Sequence, residues 1–200
     1  KAQVPIGGRG KAGGIVRVNN LEETERQLKR IFSLTIGGFP VSSVLAEEVV
    51  EAETEYYLSL LVNRGERCYT LMAGSRGGVD IEHIAKEDPG SMLRISIQPV
   101  QGISDLDIRV IAQHFHMGVE VLSPLVRSLY ACFLEEDAEL LEVNPLVTTK
   151  KGLVALDAKI VIDDNALFRH PSLQKLPPRG KSPEELEAEK VGLNYVSMEG

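Results

Sequence analysis

The chain has 200 residues and a mass of 21.9 kDa, of which 43% are hydrophobic and 26% charged. This composition is typical of a globular protein with one core or two small ones, and no apolar run approaches the roughly 20 residues that a membrane-spanning helix requires. The formal net charge is -7, yet residues 1–20 hold four basic residues and no acid, which disfavours broad nucleic-acid binding and favours one local anion site in an acidic body.

The first third of the chain predicts a glycine-rich hairpin, one helix and three short strands. Five glycines stand between two β-prone runs in residues 3–18, which indicates a flexible hairpin. Asn20 and Glu23 have the spacing of a capping box, so a helix is expected to about residue 32. Four apolar side chains fall on one side of that helix: Leu21, Leu28, Ile31 and Phe32. Residues 43–50, 55–63 and 67–73 predict an antiparallel meander.

The rest of the chain predicts helices over 80–87, over 105–117 and from a cap at Ser123-Pro124 to Glu135, with an extended segment over 93–98. Two strands, 138–149 and 153–162, flank the turn at residues 150–152. A single helical turn is expected over 164–169. A Pro-rich connector at 177–180 and a helix that begins from a capping box at Ser182 complete the expected elements.

The glycine-rich segment is the first candidate site. Residues 8–13, GRGKAG, have the GxGxxG spacing of a dinucleotide fingerprint, but residues 15–18 are strand-like rather than helical and no acid stands about 20 residues further on. The P-loop pattern fails because Ala12 follows Lys11. We expect instead a hairpin whose bare N–H groups approach phosphate oxygens and which folds over a nucleotide triphosphate. The alternative is a mobile hairpin with solvated charges.

The second candidate is the hairpin around residues 150–152. In a tight hairpin the numbers of paired residues sum to about 301, so Asn144 faces Asp157 and Glu142 faces Lys159, all on one side. An amide oxygen and a carboxylate across two strands suit a Mg²⁺ ion that keeps several waters and bridges phosphates. Pro145 is expected to end the regular strand. The alternative is a solvated polar face with an ordinary cross-strand pair.

A third, weaker candidate is the acidic segment that contains Glu47, Val49, Val50 and Glu55. Carboxylates near a strand edge can accept hydrogen bonds from an adenine amino group or from ribose hydroxyls, and the edge backbone can contact the purine ring. Surface acids more often serve only for solvation, so this alternative stays open.

Seven segments resemble, in the same order through the whole chain, the β subunit of succinyl-CoA synthetase in the NDP-forming acyl-CoA synthetase group. They are KAQ (1–3), GGRGKAGG (7–14), EYYL (55–58), GGVDIE (77–82), LEVNPLV (141–147), LDAK (156–159) and DNALFR (164–169). The resemblance implies an α/β (α+β) ATP-grasp fold, an antiparallel sheet with flanking helices, present in part. It places an ATP-grasp nucleotide-binding domain with an incomplete N-terminal lobe at residues 1–192 and the start of a linker to a CoA-ligase domain at 193–200.

The resemblance also implies the site. Phosphates would contact Lys1, Gly8, Arg9 and Gly10. The base and ribose of ATP/ADP or GTP/GDP would be held by Glu47, Val50 and Glu55, and Mg²⁺ by Asn144 and Asp157. No catalytic residue is expected from this chain, because the phosphohistidine belongs to a partner α subunit that also binds CoA. The four histidines here are then structural or surface residues: His83, His114, His116 and His170.

The implied enzyme is a succinate–CoA ligase, ADP- or GDP-forming, that acts as part of a heteromeric complex without nucleic-acid or membrane partners. The alternatives are a malate–CoA ligase, another NDP-forming acyl-CoA synthetase β subunit, or an inactive nucleotide-binding or assembly fragment. The chain begins at Lys1 rather than Met, so we expect a piece of a longer polypeptide. The two isolated cysteines, Cys68 and Cys132, predict neither a disulfide framework nor a zinc ribbon. We expect a cytoplasmic protein, or one of the mitochondrial matrix.

Overall fold

The computed structural model describes residues 1–78, 88–176, 183–193 and 195. The chain divides into two compact units: the first comprises Lys1–Val49 and Lys175–Gly200, and the second comprises Val50–Gln174. The helix that we predicted over 80–87, the connector at 177–180 and Ser182 lie outside the described residues.

In the first unit, helix α1 (Leu21–Phe32) begins where the sequence predicts it. The Asn20 side chain accepts a hydrogen bond from the Glu23 N–H at 2.8 Å, which satisfies one of the free donors of the first turn. Of the four predicted apolar residues only Ile31 is fully buried. Leu21 is 83% exposed and Phe32 is 48% exposed. The two-stranded pair β1 (Thr35–Ile36) and β2 (Phe39–Pro40) follows.

The strand predicted over residues 43–50 is wrong. Residues 43–45 instead pair with residues 1–3: Ala2 and Val44 form an isolated antiparallel bridge, and Lys1 and Leu45 exchange two backbone hydrogen bonds of 2.8 Å. After Leu45 no ladder is recorded up to residue 53. Residues 43–45 do have an extended, paired backbone, as their β propensity indicates. The segment they pair with lies more than 40 residues away in sequence, and no local pattern identifies it.

The predicted glycine hairpin is also wrong, since residues 9–13 form consecutive turns without a strand ladder. Hydrogen bonds run from the N–H groups of Ala12, Gly13 and Gly14 to the carbonyls of Gly8, Gly10 and Arg9. We call residues 7–14 the glycine-rich loop. It is closed at its base by the Ala2 N–H, which donates to the Gly14 carbonyl at 2.7 Å.

The second unit is built on one antiparallel sheet. Its strands are β3 (Thr54–Asn63), β4 (Cys68–Gly74), β5 (Met92–Ile97), β6 (Ala138–Thr149), β7 (Gly152–Ala155) and β8 (Ala158–Ile162). The order across the sheet is β5-β4-β3-β6-β7, and β8 also pairs with β6. The fold is the predicted mixed α/β arrangement of an antiparallel sheet with helices.

One face of this sheet packs against two helices, α2 (Asp105–His114) and α3 (Val119–Glu135). A capping box between Ser104 and Asp107 starts α2. Helix α3 begins at Val119 rather than at the predicted Ser123-Pro124 cap, so Pro124 lies inside the helix. The helix continues through Pro124 because burial of four side chains at helical spacing stabilises it by more than the loss of one backbone hydrogen bond costs. These side chains are Leu122, Val126, Tyr130 and Phe133.

The predicted register of the β6 hairpin is confirmed. Leu146 pairs with Ala155 and Glu142 pairs with Lys159, so the paired numbers sum to 301 in both β7 and β8. The prediction that Pro145 ends the strand is wrong. Strand β6 continues to Thr149, and it is the partner strand that is interrupted between β7 and β8.

The smaller elements are a 3₁₀ helix over Asp164–Arg169, as predicted, α4 (Pro171–Gln174) and, in the first unit, α5 (Pro183–Lys190). Within the described part of the chain, no single helix is long and apolar enough to cross a membrane. Helices α2 and α3 reach that length and apolarity only when counted together across a bend of 118°.

Candidate functional site

Two residues that the resemblance assigns to a nucleotide site meet in the first unit. The Lys1 ammonium lies 2.5 Å from a carboxylate oxygen of Glu47, and the Lys1 side chain is 21% exposed. The backbone pairing of residues 1–3 with 43–45 holds the two together, because it sets Lys1 opposite Leu45, two residues before Glu47. A predicted phosphate-binding lysine is thus paired with a predicted base- or ribose-binding acid in the same unit.

The glycine-rich loop combines an open tip with a closed base. A side chain at Gly8, where φ is +76°, would meet no atom within 4 Å, whereas one at Gly14 would meet Ala2 and the Arg9 carbonyl at about 3 Å. The Arg9 guanidinium donates to the Ala2 carbonyl at 3.4 Å. Gly10 is nearly as open as Gly8, with Ile15 alone at 3.9 Å. The tip is therefore the part of the loop that a ligand can approach.

In the second unit, Asn144 and Asp157 lie opposite each other. The Asn144 N–H donates to the Asp157 carbonyl at 3.1 Å, and the Leu156 N–H donates to the Pro145 carbonyl at 3.0 Å. On its other side β6 has two residues, Asn144 and Pro145, where β3 has only Tyr57, so the pairing shifts there. Such bulges redirect side chains. The backbone pairing thus sets Asn144 next to Asp157 where the bulge and the interruption of the partner strand meet.

The Gly77–Gly78 turn joins a third predicted residue to this place. The Gly78 N–H donates to Oδ1 of Asn144 at 2.7 Å, and a Cβ on Gly78 would lie 2.1 Å from a carboxylate oxygen of Glu55. The Gly77 N–H donates to the Glu55 carbonyl at 2.9 Å. Asn144 and Glu55 therefore both contact Gly78. Our sequence reasoning gave this turn no role, although two adjacent glycines directly after a strand were the available signal.

These side chains lie on the sheet face that we call the polar face, opposite α2 and α3. Leu141 and Val143 point into the helix-covered core, so the alternating Glu142 lies on the polar face, and Tyr57 lies there by the same alternation on β3. Burial raises the pKa of Tyr57 above its ordinary value, and the Glu142 carboxylate adds to this. The predicted residue Val50, at the start of this unit, is half-buried.

The donor set fits a Mg²⁺ ion that keeps waters and phosphates as ligands. Asn144 offers one amide oxygen, which already accepts from Gly78, and Asp157 offers one partly exposed carboxylate. Among the described residues, no group of three or more His, Cys, Asp or Glu side chains could hold a metal. Mg²⁺ is commonly bound by one or two protein oxygens and the substrate phosphates, whereas a structural metal would require a fuller cage.

The described histidines make contacts of other kinds. His114 hydrogen-bonds the Ser91 carbonyl at 3.0 Å, and His170 lies 2.8 Å from Asp137 and 3.4 Å from Glu136, where it ties the end of α3 to the chain after β8. His116 has a φ of +51° at the turn after α2. His83 lies outside the described residues. None of the described histidines, His114, His116 and His170, has a recorded contact with Asn144 or Asp157.

The sequence profile of the ATP-grasp domain matches residues 1–148. The chain belongs to the ATP-grasp domain family. Membership in this family implies that the chain binds a nucleotide, and Mg²⁺ is the typical companion ion.

Curated relatives match along the whole chain. The β subunit of ADP-forming succinate–CoA ligase from Bacteroides thetaiotaomicron is 42% identical over 205 residues, which cover 100% of this chain and 54% of that protein. The proteins of the same name from Pyrobaculum aerophilum and Aquifex aeolicus are 41% and 38% identical, and 55% and 54% of their lengths are covered. The chain therefore spans about half the length of the curated relatives it matches.

Solved structures share the fold. An ATP citrate lyase from Methanothrix soehngenii superposes with a TM-score of 0.68 at 21% identity, over 96% of this chain and 46% of that chain. A dinucleotide-forming acetyl-coenzyme A synthetase from Ca. Korarchaeum cryptofilum gives a TM-score of 0.56 at 18% identity, over 78% of this chain and 70% of that chain.

Proposed function

We propose that this chain is the nucleotide-binding part of the β subunit of a succinate–CoA ligase, which couples conversion of a nucleoside triphosphate to diphosphate and phosphate with the joining of succinate to CoA. The observation that carries the proposal is the placement of Asn144 beside Asp157 at the bulge of β6, in a chain of the ATP-grasp family. The name shared by relatives of 38–42% identity over the whole chain supports it.

Asn144 and Asp157 are the residues that would hold Mg²⁺. The ion, when bound, neutralises phosphate charge and orients the phosphoryl group. The chain's own contribution is positioning. The Gly78 N–H fixes the Asn144 amide at 2.7 Å, so Oδ1 is held in place with a second lone pair for a metal, and the backbone bond to Asn144 keeps Asp157 beside it. A site that is fixed before the substrate arrives loses little free energy to reorganisation.

The first unit would supply phosphate contacts. Lys1, Arg9 and the open backbone at Gly8 and Gly10 bring positive charge and N–H donors to one segment, and transfer of a phosphoryl group through a loose transition state depends on such charge cancellation. Because Lys1 is paired with Glu47 in the structure, a phosphate would have to compete with that carboxylate or share the ammonium with it.

We assign no nucleophile to this chain. The reaction would pass through a phosphohistidine on a partner α subunit that also binds CoA. The subunit name of the relatives is consistent with a heteromeric complex. Two of the described histidines have structural contacts: His114 bonds the Ser91 carbonyl, and His170 lies beside Asp137.

The test compares two variants, Asp157→Asn and Asp163→Asn, each made in the intact protein and assayed together with its partner subunit. Asp157→Asn removes the proposed metal ligand. Asp163→Asn is the matched control: Asp163 caps the 3₁₀ helix by accepting from the Asn165 N–H at 2.9 Å, a bond that asparagine also accepts. Succinyl-CoA formation is measured against Mg²⁺ concentration, and calorimetry follows the binding of ADP with Mg²⁺.

We expect Asp157→Asn to lower turnover by roughly 100-fold or more and to raise the Mg²⁺ requirement, because one charged ligand is lost. Asp163→Asn is expected to behave like the parent protein. Near-normal turnover of Asp157→Asn would contradict the assignment of the metal site, and equal losses in both variants would indicate a general effect of charge or folding.

Assays must identify which acid and which nucleotide the proposed enzyme uses. Turnover of the intact complex with succinate, malate and acetate distinguishes a succinate enzyme from a malate–CoA ligase or another acyl-CoA synthetase, and paired assays with ATP and GTP identify the nucleotide. If the intact complex turns over none of these acids, the nucleotide-binding or assembly module becomes the better description. The cytoplasmic location and the domain limits 1–192 and 193–200 stay predictions.

A further inference from the structure

Next to the proposed metal residues, the polar face carries a second row of charged side chains. Strand pairing places five residues side by side in one row across β8, β6, β3, β4 and β5: Lys159, Glu142, Ser59, Met72 and Arg94. Asn144 and Asp157 stand two residues further along β6 and its partner strand, so their side chains lie on the same face, about 7 Å along the strands. This row contains the two strand cations of the polar face, Lys159 and Arg94.

The two cations differ in their partners. Arg94 donates to Glu66 at 2.6 Å and holds the pKa of that carboxyl below its ordinary value. Lys159 is exposed, and over the described ranges no carboxylate lies within ion-pair distance of its ammonium, although Glu142 is its direct cross-strand neighbour. The hairpin thus presents a cation beside a carboxylate without a recorded ion pair between them.

The negative charge around the proposed site favours such a cation. Glu55, Glu142 and Asp157 place three carboxylates on or beside this part of the polar face, and a nucleoside triphosphate with one Mg²⁺ remains an anion. Neighbouring rows and strands are only about 5 to 8 Å apart, where like charges repel appreciably. The four-carbon stem of lysine lets its ammonium extend over the adjacent row, with three donors for phosphate oxygens.

We propose that Lys159 is a phosphate-contacting residue of the nucleotide site, which places its ammonium against the phosphate oxygens beside Asn144 and Asp157. This inference rests on the proposed function and assigns one further residue to that site. Lys159 offsets the repulsion between the acidic row and the terminal phosphates. Its contribution therefore grows with the number of phosphates on the ligand and does not extend to the nucleoside part.

The test uses the intact protein with its partner and three variants. Lys159→Ala removes the ammonium, Lys159→Arg keeps a cation, and Lys151→Ala removes a lysine at the tip of the same hairpin, away from the paired rows. Calorimetry measures the dissociation constants of ATP, ADP, AMP and adenosine with Mg²⁺ at low and at high salt. Amide hydrogen exchange of β6 reports whether the hairpin remains folded.

We expect Lys159→Ala to weaken ATP binding by about 10- to 100-fold, the effect of one charge-assisted hydrogen bond, and to weaken it less for ADP. Adenosine binding is expected to change less than about twofold. Lys159→Arg should recover most of the loss, and Lys151→Ala should bind like the parent protein. The loss should also shrink at high salt, because screening weakens an exposed charge contact.

Three outcomes would overturn the proposal. Unchanged ATP affinity in Lys159→Ala, with nucleotide binding by the parent protein, removes Lys159 from the site and leaves the proposed function intact. An equal loss for ATP and adenosine would assign Lys159 a structural role. If the parent protein binds no nucleotide, the proposed function fails first, and the role of Lys159 fails with it.

Discussion

The β6 hairpin of the second unit and the glycine-rich loop of the first unit each carry residues that we predict to bind a ligand, but different interactions hold the two regions. The hairpin has ladder pairs from Thr149 to Leu146 and from Val143 to Leu140, with two backbone hydrogen bonds at Asn144 and Pro145 between them, and it buries Leu146 completely in the core. The loop has no ladder. It depends on its own turns and on two distant residues, Ala2, which donates to Gly14 at 2.7 Å, and Arg30, which donates to Gly13 at 2.8 Å.

This difference determines what a mutation can do to each region. In the hairpin, alternation divides the side chains between a buried face and the polar face, so a core side chain can be changed without touching the proposed metal residues. In the loop, the same backbone atoms shape the turns and would contact a phosphate. Stability and binding are therefore separable in the hairpin and coupled in the loop.

The largest expected effect is on the hairpin. Leu146→Ala removes a side chain that is fully buried in the core against the helices. We expect the free energy of unfolding of the second unit to fall by about 2–5 kcal/mol, from lost burial plus the cavity that remains. A denaturant titration followed by amide hydrogen exchange of β6 measures the loss and assigns it to this unit.

The matched control for this change is Ile160→Ala, in the partner strand of the same hairpin. Ile160 pairs with Leu141 but is 46% exposed, so we expect a loss of less than about 1 kcal/mol. Equal losses in the two variants would mean that strand pairing, rather than core packing, holds the hairpin.

Much of the second unit could be predicted from sequence, because its signals are local and agree with one another. The turn at residues 150–152 and the alternation on both sides of it led to the register in which Glu142 pairs with Lys159. The interruption between β7 and β8 could not be predicted in this way. It lies beside the bulge opposite Tyr57, where β6 pairs with a third strand, β3, to which the alternation of the hairpin gives no register.

The candidate site also has one part that the sequence predicts and another that it does not. Asn144 opposite Asp157 followed from the hairpin register, whereas Gly78 contacts Glu55, 23 residues before it, and Asn144, 66 residues after it. No periodic pattern relates such segments. The ion pair between Lys1 and Glu47 has the same origin, because it depends on the pairing of residues 1–3 with 43–45.

A smaller effect is expected in the glycine-rich loop. Gly14→Ala would set a Cβ 3.0 Å from the Ala2 Cβ and 3.1 Å from the Arg9 carbonyl, so the base of the loop must shift. We expect a loss of about 1–3 kcal/mol in the stability of the first unit, together with weaker nucleotide binding. Gly7→Ala is the matched control, because its Cβ meets no atom within 4 Å. Should Gly14→Ala lower stability but leave nucleotide affinity unchanged, the proposed coupling in the loop would be wrong.

The smallest expected effect concerns a feature that both units share, a helix cap that the immediate sequence specifies. The Asn20 side chain accepts from the Glu23 N–H at 2.8 Å in the first unit, and Ser104 accepts from the Asp107 N–H at 3.2 Å in the second. Asn20→Ala and Ser104→Ala are each expected to lower the free energy of unfolding by about 1 kcal/mol. Amide exchange of the first helical turns measures both losses. A helix cap acts only on its own turn. Similar losses in the two variants would therefore mean that the two units differ in their long-range contacts and not in their local ones. A negligible loss for Asn20→Ala alone would instead mean that α1 is held by the contacts of the first unit even at its beginning.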